Sequence, residues 1–253
     1  MTRRRFYAPR SAFTPNDKAV MLSAEESRHL RDVLRLQRGD EVYVFDGEGR
    51  EYRCLIAEIG RSSVKLDLIE QVEPARPESP LSLTLAVALL KGEKFDLVVQ
   101  KAVELGVTRV VSVVTARADV RIRNADDAKR KAERWQRIAL ESAKQCRRAR
   151  LMEIDAPDTF ESLITRPKRD DELRLMFAER DGVSLTELAA SLHARPVQVI
   201  ALVGSEGGWT DDEIAQARAR HWQILTLGGR TLRAETAAIA IAALLQHAFG
   251  DLV

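Results

Sequence analysis

The chain has 253 residues, 45% hydrophobic and 31% charged, with 13 glycines and 8 prolines, a composition that allows a buried core and excludes disordered and fibrous classes. Forty basic and 38 acidic residues leave a net charge of +2, so bulk charge indicates no nucleic-acid partner, although 31 of the basic residues are arginine, which binds phosphate and stacks on bases better than lysine. With only two cysteines and four scattered histidines, the chain does not fit a disulfide scaffold or a cysteine zinc site. It has no signal-peptide pattern and no apolar run of about 20 residues that would span a membrane. We therefore expect a cytoplasmic protein without a metal.

Residues 1–72 are predicted to form a small antiparallel β-barrel that carries one helix. Ser23 and Glu26 have the spacing of a capping box, which predicts a helix running through Leu34. Beyond it, apolar and polar residues alternate between glycine-bearing turns, and this pattern predicts strands at residues 41–45, 51–56 and 64–69.

A change of pattern follows the first 72 residues. Residues 73–80 contain three prolines, which predict a stiff linker between two domains. Residues 81–253 alternate between strands and helices, so we expect a mostly parallel sheet covered by helices on both faces, an α/β domain. The predicted strands are 81–90, 110–114, 173–177, 197–203 and 224–227, and the predicted helices are 95–105, 126–148, 185–193, 211–220 and 235–249.

The predicted strand 197–203 leads directly into a glycine-rich loop, Gly204-Ser205-Glu206-Gly207-Gly208. Ligands bind beyond the carboxyl ends of parallel strands, so this loop is a candidate site, although a tight turn that needs glycine would explain the same residues. Its spacing matches no phosphate-binding glycine motif. Carboxylates surround the start of the next helix with no nearby Lys or Arg in the sequence, and we expect a ligand with hydroxyls, amines or a positive centre rather than a phosphate.

A second glycine loop, Gly228-Gly229-Arg230-Thr231-Leu232-Arg233, follows the predicted strand 224–227. The helix after it, 235–249, is apolar on almost every face, which favours either a core position or a subunit interface. Arg230, Arg233 and Glu235 stand at the start of that helix, where ionised groups need partners. A bound ligand and a local Arg–Glu pair explain these three residues equally well.

These two loops, in this order, resemble the signature of a known enzyme family. Segments elsewhere in the chain agree with it, namely residues 4–7, 29–35, 91–94, 100–107 and 133–135. The family is that of the 16S ribosomal RNA uridine-N3 methyltransferases, the RsmE family of the SPOUT superfamily. The resemblance implies a PUA-like RNA-binding β-barrel, a SPOUT-type α/β domain with a C-terminal trefoil knot, a homodimer, S-adenosylmethionine as cofactor, and 16S rRNA within the 30S subunit as substrate.

The resemblance also implies which residues form the cofactor pocket. They belong to the two glycine loops and their flanks: Leu202, Val203, Gly204, Glu206, Gly207, Gly208, Leu227, Gly228, Arg230, Leu232, Arg233 and Thr236. The chain departs from the family pattern at Ser205, Trp209, Thr231 and Ala234, where the family usually has proline, phenylalanine, isoleucine and threonine. It departs from the pattern in one further segment. Where Ser/Thr-Glu-Arg-Ser is expected after the second strand of the α/β domain, the chain has Thr115-Ala116-Arg117-Ala118, so no role for that glutamate is transferred.

Methylation of uridine N3 requires loss of the N3 proton and exposure of a base-pairing edge, so the base must be unpaired or flipped. An arginine would stabilise the negative charge that develops on the uridine. Arg233 is the first candidate and Arg230 the second, whereas no residue stands out as a general base. Two other functions stay open: a methyltransferase with another RNA target, such as a ribose 2′-hydroxyl of transfer RNA, and an RNA-binding protein without catalytic activity.

Two segments depart from the neutral average charge. Residues 1–38 contain nine basic and four acidic side chains, and residues 129–150 contain nine basic and two acidic. A solvated helix face is the ordinary explanation of such a run, but an excess of this size favours contact with phosphates. The predicted RNA-binding residues are Arg3, Arg4, Arg5, Tyr7, Arg31, Arg35, Arg134, Arg147 and Arg148.

Overall fold

The computed structural model describes residues 3–120 and 122–252, and it divides into two compact units. Of the described residues, unit 1 comprises 3–78 and 143–151, and unit 2 comprises 79–120, 122–142 and 152–252. One boundary therefore falls within the proline-rich segment 73–80. The inclusion of residues 143–151 in unit 1 has no counterpart in the sequence analysis. Within the described residues, no helix has both the length and the apolar character needed to cross a membrane.

Unit 1 is built on a five-stranded sheet in the order β1-β3-β4-β5-β2. Strands β1 and β3 are parallel, and the other neighbours are antiparallel. The strands are β1 (Arg5–Tyr7), β2 (Ala19–Met21), β3 (Glu41–Phe45), β4 (Glu51–Ile59) and β5 (Val64–Val72). The three predicted strands are confirmed. Strands β1 and β2 were missed because three residues are too few to show an alternating pattern.

The predicted helix of unit 1 forms in two parts. The Ser23 side chain accepts a hydrogen bond from the Glu26 backbone N–H and caps α1 (Ala24–Arg28), which continues into one π-helical turn (His29–Val33). Leu30 is fully buried, but Val33 is 65% exposed. The helix is thus confirmed, whereas its last turn does not present its apolar side chains to the core.

The segment 143–151 joins unit 1 through both backbone and ionic contacts. The Leu151 N–H donates to the Gly47 carbonyl at 2.9 Å, and the Gly49 N–H donates to the Ala149 carbonyl at 3.2 Å. Arg148 pairs with Glu78 at 2.7 Å. The Lys144 Nζ lies 2.6 Å from the Glu26 carboxylate. This return segment is therefore an integral part of unit 1.

Unit 2 contains a parallel sheet in the order β12-β10-β11-β6-β7-β8, with β9 paired to β7. The strands are β6 (Ser82–Ala88), β7 (Arg109–Val114), β8 (Glu153–Ile154), β9 (Asp158–Thr159), β10 (Glu172–Phe177), β11 (Gln198–Val203) and β12 (Gln223–Leu225). The helices are α2 (Lys94–Glu104), α3 (Ala125–Cys146), α4 (Phe160–Thr165), α5 (Leu185–Ser191), α6 (Asp211–Ala219) and α7 (Ala234–Phe249). The predicted α/β alternation is confirmed, and the short elements β8, β9 and α4 were missed.

The sheet of unit 2 is central and its strands are correspondingly apolar. Leu85, Val111, Leu175 and Leu202 are at most 1% exposed, as expected for strands that helices cover on both faces. The capping box before α6 is complete: Thr210 accepts from the Glu213 N–H, and Glu213 accepts from the Thr210 N–H. The start of α6, and with it the end of the first glycine loop, is therefore fixed by its own sequence.

Candidate functional site

Three neighbouring strands of unit 2 end level with one another. In the order β12-β10-β11, Phe177 of β10 lies opposite both Leu225 of β12 and Val203 of β11. Because all three strands run in parallel, the segments that follow them, 178–182, 204–209 and 226–233, leave the sheet at the same edge. We refer to them as the β10 loop, the first glycine loop and the second glycine loop.

A cavity of about 190 Å³ lies among these three loops and the start of α7. Its walls combine loop backbone, apolar side chains and few ionised groups. The lining residues are Phe177, Ala178, Glu179, Val203, Gly204, Ser205, Gly208, Trp209, Thr226, Leu227, Gly228, Gly229, Arg230, Thr231, Leu232, Ala234, Ala237 and Ile241. Within the part of the chain that the structure describes, no cluster of His, Cys, Asp and Glu could hold a metal ion.

The structure brings together most, but not all, of the residues predicted to bind a cofactor. Those that line the cavity are Val203, Gly204, Gly208, Leu227, Gly228, Arg230 and Leu232. Those that do not are Leu202, Glu206, Gly207, Arg233 and Thr236. Leu202 lies fully buried in the core beneath the loop. The remaining four are direct chain neighbours of lining residues.

The first glycine loop is held by one of its own side chains, Trp209, and by Arg117 from a distant segment of unit 2. The Trp209 indole N–H donates to the Phe177 carbonyl at 2.9 Å, and a Cβ at Gly204 would lie only 3.0 Å from the same indole nitrogen. The Arg117 guanidinium donates to the carbonyls of Gly207 and Trp209, each at 3.2 Å. Glycine at position 204 is thus required by close packing, and the loop is fixed at both ends.

Three cations approach the first glycine loop from distant positions in the sequence. Besides Arg117, Lys94 at the start of α2 donates to Glu206 at 2.7 Å, and Arg180 pairs with Asp211. The expectation that no Lys or Arg accompanies these carboxylates is wrong, because the fold supplies the cations from other elements. Electrostatics therefore do not exclude a phosphate ligand, and only the mismatch with the phosphate-binding motifs disfavours one.

These ion pairs shift the pKa values of the carboxylates at the loop. Burial is the largest single influence on the pKa of Glu206 and acts to raise it. The hydrogen bond from Lys94, a backbone hydrogen bond and the Lys94 charge together outweigh burial and hold that pKa below its usual range. The hydrogen bond from Arg180 lowers the pKa of Asp211. Both side chains are thus ionised at neutral pH, and both carry a partner.

The second glycine loop has a different environment. Gly228 and Gly229 both have φ of +72°, and a Cβ at either position would meet no atom within 4 Å. Glycine is required here by backbone conformation rather than by packing. Residues 230–233 are all exposed. Among residues 3–120 and 122–252, neither the Arg230 nor the Arg233 side chain forms a hydrogen bond or an ion pair.

The alternative of a local Arg–Glu pair at the start of α7 is not realised in the described structure. Glu235 is 9% exposed and lies 3.8 Å from the Lys94 Nζ. Lys94 therefore stands between Glu206 of the first glycine loop and Glu235 just after the second. Arg230 and Arg233 are left at the surface beside the cavity, where a ligand or substrate can reach them.

Sequence reasoning missed the β10 loop, which contributes Ala178 and Glu179 to the cavity. The strand 173–177 was predicted, and its carboxyl end was a signal for a ligand-binding loop in the same way as the other two strand ends. The loop escaped notice because it has a single glycine, Gly182, and no recognisable motif.

The residues predicted to bind RNA fall into two groups. Arg5 pairs with the fully buried Glu51 and has a side chain only 5% exposed, and the Arg148 side chain, paired with Glu78, is 6% exposed. Their charges are used inside unit 1, so neither faces a phosphate. Tyr7 is half-buried, with its ring packed against Phe45.

The other predicted RNA-binding residues reach the surface. Arg4, Arg35 and Arg147 are exposed, and Arg3 and Arg31 are partly exposed. Arg31 donates to the Arg61 carbonyl and pairs with Asp32. Arg134 on α3 is 53% exposed while paired with Asp96. Lys129 and Arg130, also on α3, are at least 75% exposed.

Comparisons with known proteins agree with this architecture. Residues 77–246 match the RNA methyltransferase domain family, and residues 22–69 match the RNA methyltransferase PUA domain family. The ribosomal RNA small subunit methyltransferase E of Synechocystis is 34% identical over 221 residues, which cover 87% of this chain and 70% of that protein. The Bacillus subtilis protein of the same name is 29% identical, covering 85% of each chain.

Two solved structures are similar over the whole chain. A methyltransferase of Legionella pneumophila, determined with bound S-adenosylmethionine, is 30% identical with a TM-score of 0.86, and 100% of each chain is covered. The ribosomal RNA small subunit methyltransferase E of Neisseria gonorrhoeae, bound to S-adenosylmethionine, is 28% identical with a TM-score of 0.85 and the same coverage. With its RNA methyltransferase and PUA domains, the chain belongs to the ribosomal RNA small subunit methyltransferase E family.

Proposed function

We propose that this protein transfers a methyl group from S-adenosylmethionine to N3 of a uridine in 16S rRNA. The observation that carries the proposal is the cavity among three loops at the level carboxyl ends of β10, β11 and β12. Two exposed arginines without partners in the described structure, Arg230 and Arg233, stand beside that cavity. A donor site next to unpaired positive charge suits chemistry in which a negative charge develops on the substrate.

The cavity residues suit an adenosine-containing ligand that lacks a phosphate. Leu227, Leu232 and Ile241 supply apolar surface, and the glycine loops supply backbone groups that can approach a ligand closely. The proposed cofactor-binding residues are the seven predicted residues that line the cavity, with Glu206, Gly207, Arg233 and Thr236 as their supporting neighbours. When bound, S-adenosylmethionine supplies an electrophilic methyl group on sulfur.

Arg233 is the proposed catalytic residue, with Arg230 in a supporting role. A guanidinium beside the flipped uridine stabilises the anion that forms as the N3 proton leaves, and solvent accepts that proton in the absence of a general base. Arg233 is the N-cap of α7 and its side chain makes no capping hydrogen bond. The side chain is therefore available to the substrate while its backbone is fixed by the helix.

Each unit has its own set of proposed RNA-binding residues, all of them basic and exposed or partly exposed. In unit 1 these are Arg3, Arg4, Arg31, Arg35 and Arg147, and in unit 2 they are Arg134 and its neighbours Lys129 and Arg130. Arg5 and Arg148 are left out because they are buried in ion pairs. Since phosphate contacts release counterions, affinity for the RNA is expected to fall steeply as salt rises; an affinity independent of salt would contradict this assignment.

We also propose that the protein acts as a homodimer in the cytoplasm, with a trefoil knot around the cofactor site. Support for a dimer comes from the largely apolar helix α7, on which Leu244 is 41% exposed. Ala237, Ala240 and Ala248 lie on the same side of the helix and are partly exposed. Sedimentation equilibrium of the protein gives the mass directly. A monomer at micromolar concentration would refute the dimer.

One experiment tests the function as a whole. The protein is incubated with S-adenosylmethionine carrying a labelled methyl group and with either 30S subunits or naked 16S RNA, and the modified nucleoside is identified after digestion. The proposal requires label on uridine N3 at one position. Label on a ribose 2′-hydroxyl would instead support a methyltransferase with another RNA target. If the protein binds RNA but gives no heat with S-adenosylmethionine in calorimetry, it is an RNA-binding protein without catalytic activity.

A further inference from the structure

One carboxylate in the cavity has no role in the proposed function. Glu179, in the β10 loop, is the sole acidic residue among those that line the cavity. Within residues 3–120 and 122–252 its side chain forms no hydrogen bond and no ion pair. Its neighbour Arg180 pairs instead with Asp211 and donates to the Trp209 carbonyl. The Glu179 charge is therefore not neutralised by a pair within the described protein.

The position of this carboxylate is set by the first glycine loop. A Cβ at Gly208 would lie 3.0 Å from one Glu179 carboxylate oxygen and 3.2 Å from the other. Gly208 also has φ of +65°, a conformation that other residues adopt only with strain. Both features keep position 208 free of a side chain. The absence of a Cβ there is what allows the Glu179 carboxylate to lie against the loop backbone at the cavity wall.

The charge distribution of the cavity indicates what Glu179 would bind. The other ionised residue in the lining is Arg230, so the cavity offers one negative and one positive group. Glu179 is exposed to solvent, so its attraction for a cation depends on a direct charge-assisted contact rather than on a low dielectric constant. A ligand that carries both a carboxylate and a cationic centre matches these two residues.

We propose that Glu179 recognises a positive charge of the bound cofactor and is a specificity-determining residue of the site. This inference rests on the proposed function, in which the ligand is S-adenosylmethionine. That ligand carries two cationic groups, the α-ammonium and the sulfonium. The ammonium is also present in the demethylated product S-adenosylhomocysteine, whereas the sulfonium is lost when the methyl group leaves. Attraction to the sulfonium would make the site prefer the donor to the product.

Calorimetric titration of the Glu179→Gln variant with three ligands tests the assignment. S-adenosylmethionine carries both cations, S-adenosylhomocysteine carries the ammonium alone, and 5′-methylthioadenosine carries neither. We expect affinity for S-adenosylmethionine to fall about tenfold, as for a lost charge-assisted contact, and affinity for 5′-methylthioadenosine to stay unchanged. A tenfold loss for S-adenosylhomocysteine assigns the ammonium, and no loss for it assigns the sulfonium.

The matched control is Asp181→Asn, which removes the same charge two residues along the chain. Asp181 does not line the cavity and has φ of +60°, which asparagine tolerates. This variant is expected to bind all three ligands as the wild type does. Thermal unfolding checks that both variants are folded, and Glu179→Asp, which keeps the charge but withdraws it, is expected to give a smaller loss in the same ligand order.

Two results would overturn the assignment. An equal loss for all three ligands would mean that Glu179 shapes the cavity or binds the ribose hydroxyls, and unchanged affinity for all three would mean that it does not touch the ligand. Failure of the proposed function is a separate outcome, because it would be visible as a wild-type protein that binds none of the three.

Discussion

The two glycine loops have similar compositions and opposite environments. The first is fixed by Arg117, Lys94 and Trp209 and ends in a capping box. The second is exposed at residues 230–233, and its two glycines have open space around them. Glycine thus serves close packing at position 204 and a left-handed backbone at positions 228 and 229. One wall of the cavity is determined by tertiary contacts, and the other is held mainly by its own backbone conformation.

This contrast suggests a division of roles between the loops. Segments with few buried contacts open at low free-energy cost, so the second loop can adjust to cofactor and RNA while the first keeps its shape. Substitutions in the first loop or its supports should then act on cofactor binding and stability. Substitutions of the exposed arginines in the second should act on turnover.

The largest effect is expected for Arg233→Ala. Loss of a group that stabilises charge in the transition state typically lowers kcat by 10²–10³, roughly, whereas the fold does not depend on this exposed side chain. Single-turnover methyl transfer to 30S subunits measures the rate, and calorimetry measures affinity for S-adenosylmethionine, which we expect within about threefold of the wild type. Turnover close to that of the wild type would remove Arg233 from the mechanism.

A pair of glycine substitutions compares the loops directly. In Gly207→Ala the new Cβ would lie 2.9 Å from the Arg117 Cβ and 3.0 Å from its carbonyl oxygen, and we expect a cost of about 2 kcal/mol as the loop shifts. In Gly228→Ala the space is open and φ of +72° is the sole penalty, about 1 kcal/mol. Thermal unfolding measures the loss of stability in each variant, and calorimetry measures the affinity of each for the cofactor. A larger loss in Gly228→Ala than in Gly207→Ala would contradict the contrast between the loops.

Removal of the Arg117 side chain should have a smaller effect. Its two hydrogen bonds to the Gly207 and Trp209 carbonyls are partly exposed, and their loss is expected to weaken cofactor binding by about 1 kcal/mol, or roughly fivefold. Arg123→Ala is a suitable control because that exposed side chain lies in the same connection between β7 and α3 and forms no hydrogen bond or ion pair with the described residues. Equal affinity of the two variants would show that the first loop does not need this support.

The smallest effect concerns pH. The pKa of Glu206 is depressed by Lys94 in the folded protein, so the pair contributes stability at pH values above the ordinary glutamate pKa of about 4.3. That contribution is lost as pH falls through the depressed value. The thermal unfolding temperature should therefore fall more steeply between pH 7 and pH 3 for the wild type than for the Lys94→Gln variant. Parallel profiles would show that the pair is too well solvated to matter.

Much of the fold could be predicted from local patterns. The cap at Ser23, the capping box at Thr210 and the apolar runs of β6 and β11 are encoded within a few residues, and all four are present in the structure. At Ser23 only half of the predicted capping box forms, because the Glu26 carboxylate pairs with Lys144. Strands of two or three residues, such as β1 and β8, are too short to show an alternation of apolar and polar residues. The burial of Arg5 and Arg148 could not be predicted from the sequence either, because a run of basic residues does not show which of them pairs with a carboxylate inside the fold.

For the site, sequence and resemblance identified two of the three loops. The third loop, with Glu179, and the supports Lys94 and Arg117 come from segments far away along the chain. They reach the cavity region because β10 lies between β11 and β12 and because β6 and β7 follow β11 in the sheet. Strand order depends on long-range pairing, which no local pattern specifies, so these contributors became visible only in the folded chain.

The return segment 143–151 has a consequence for dissecting the protein. A fragment ending at residue 78 would retain Glu26 and Glu78 but lose their cations, Lys144 and Arg148. It would also lack the backbone partners of Gly47 and Gly49. An N-terminal fragment that ends at the prolines is therefore an incomplete module with carboxylates left unpaired. A graft of unit 1 onto another protein would have to include residues 143–151.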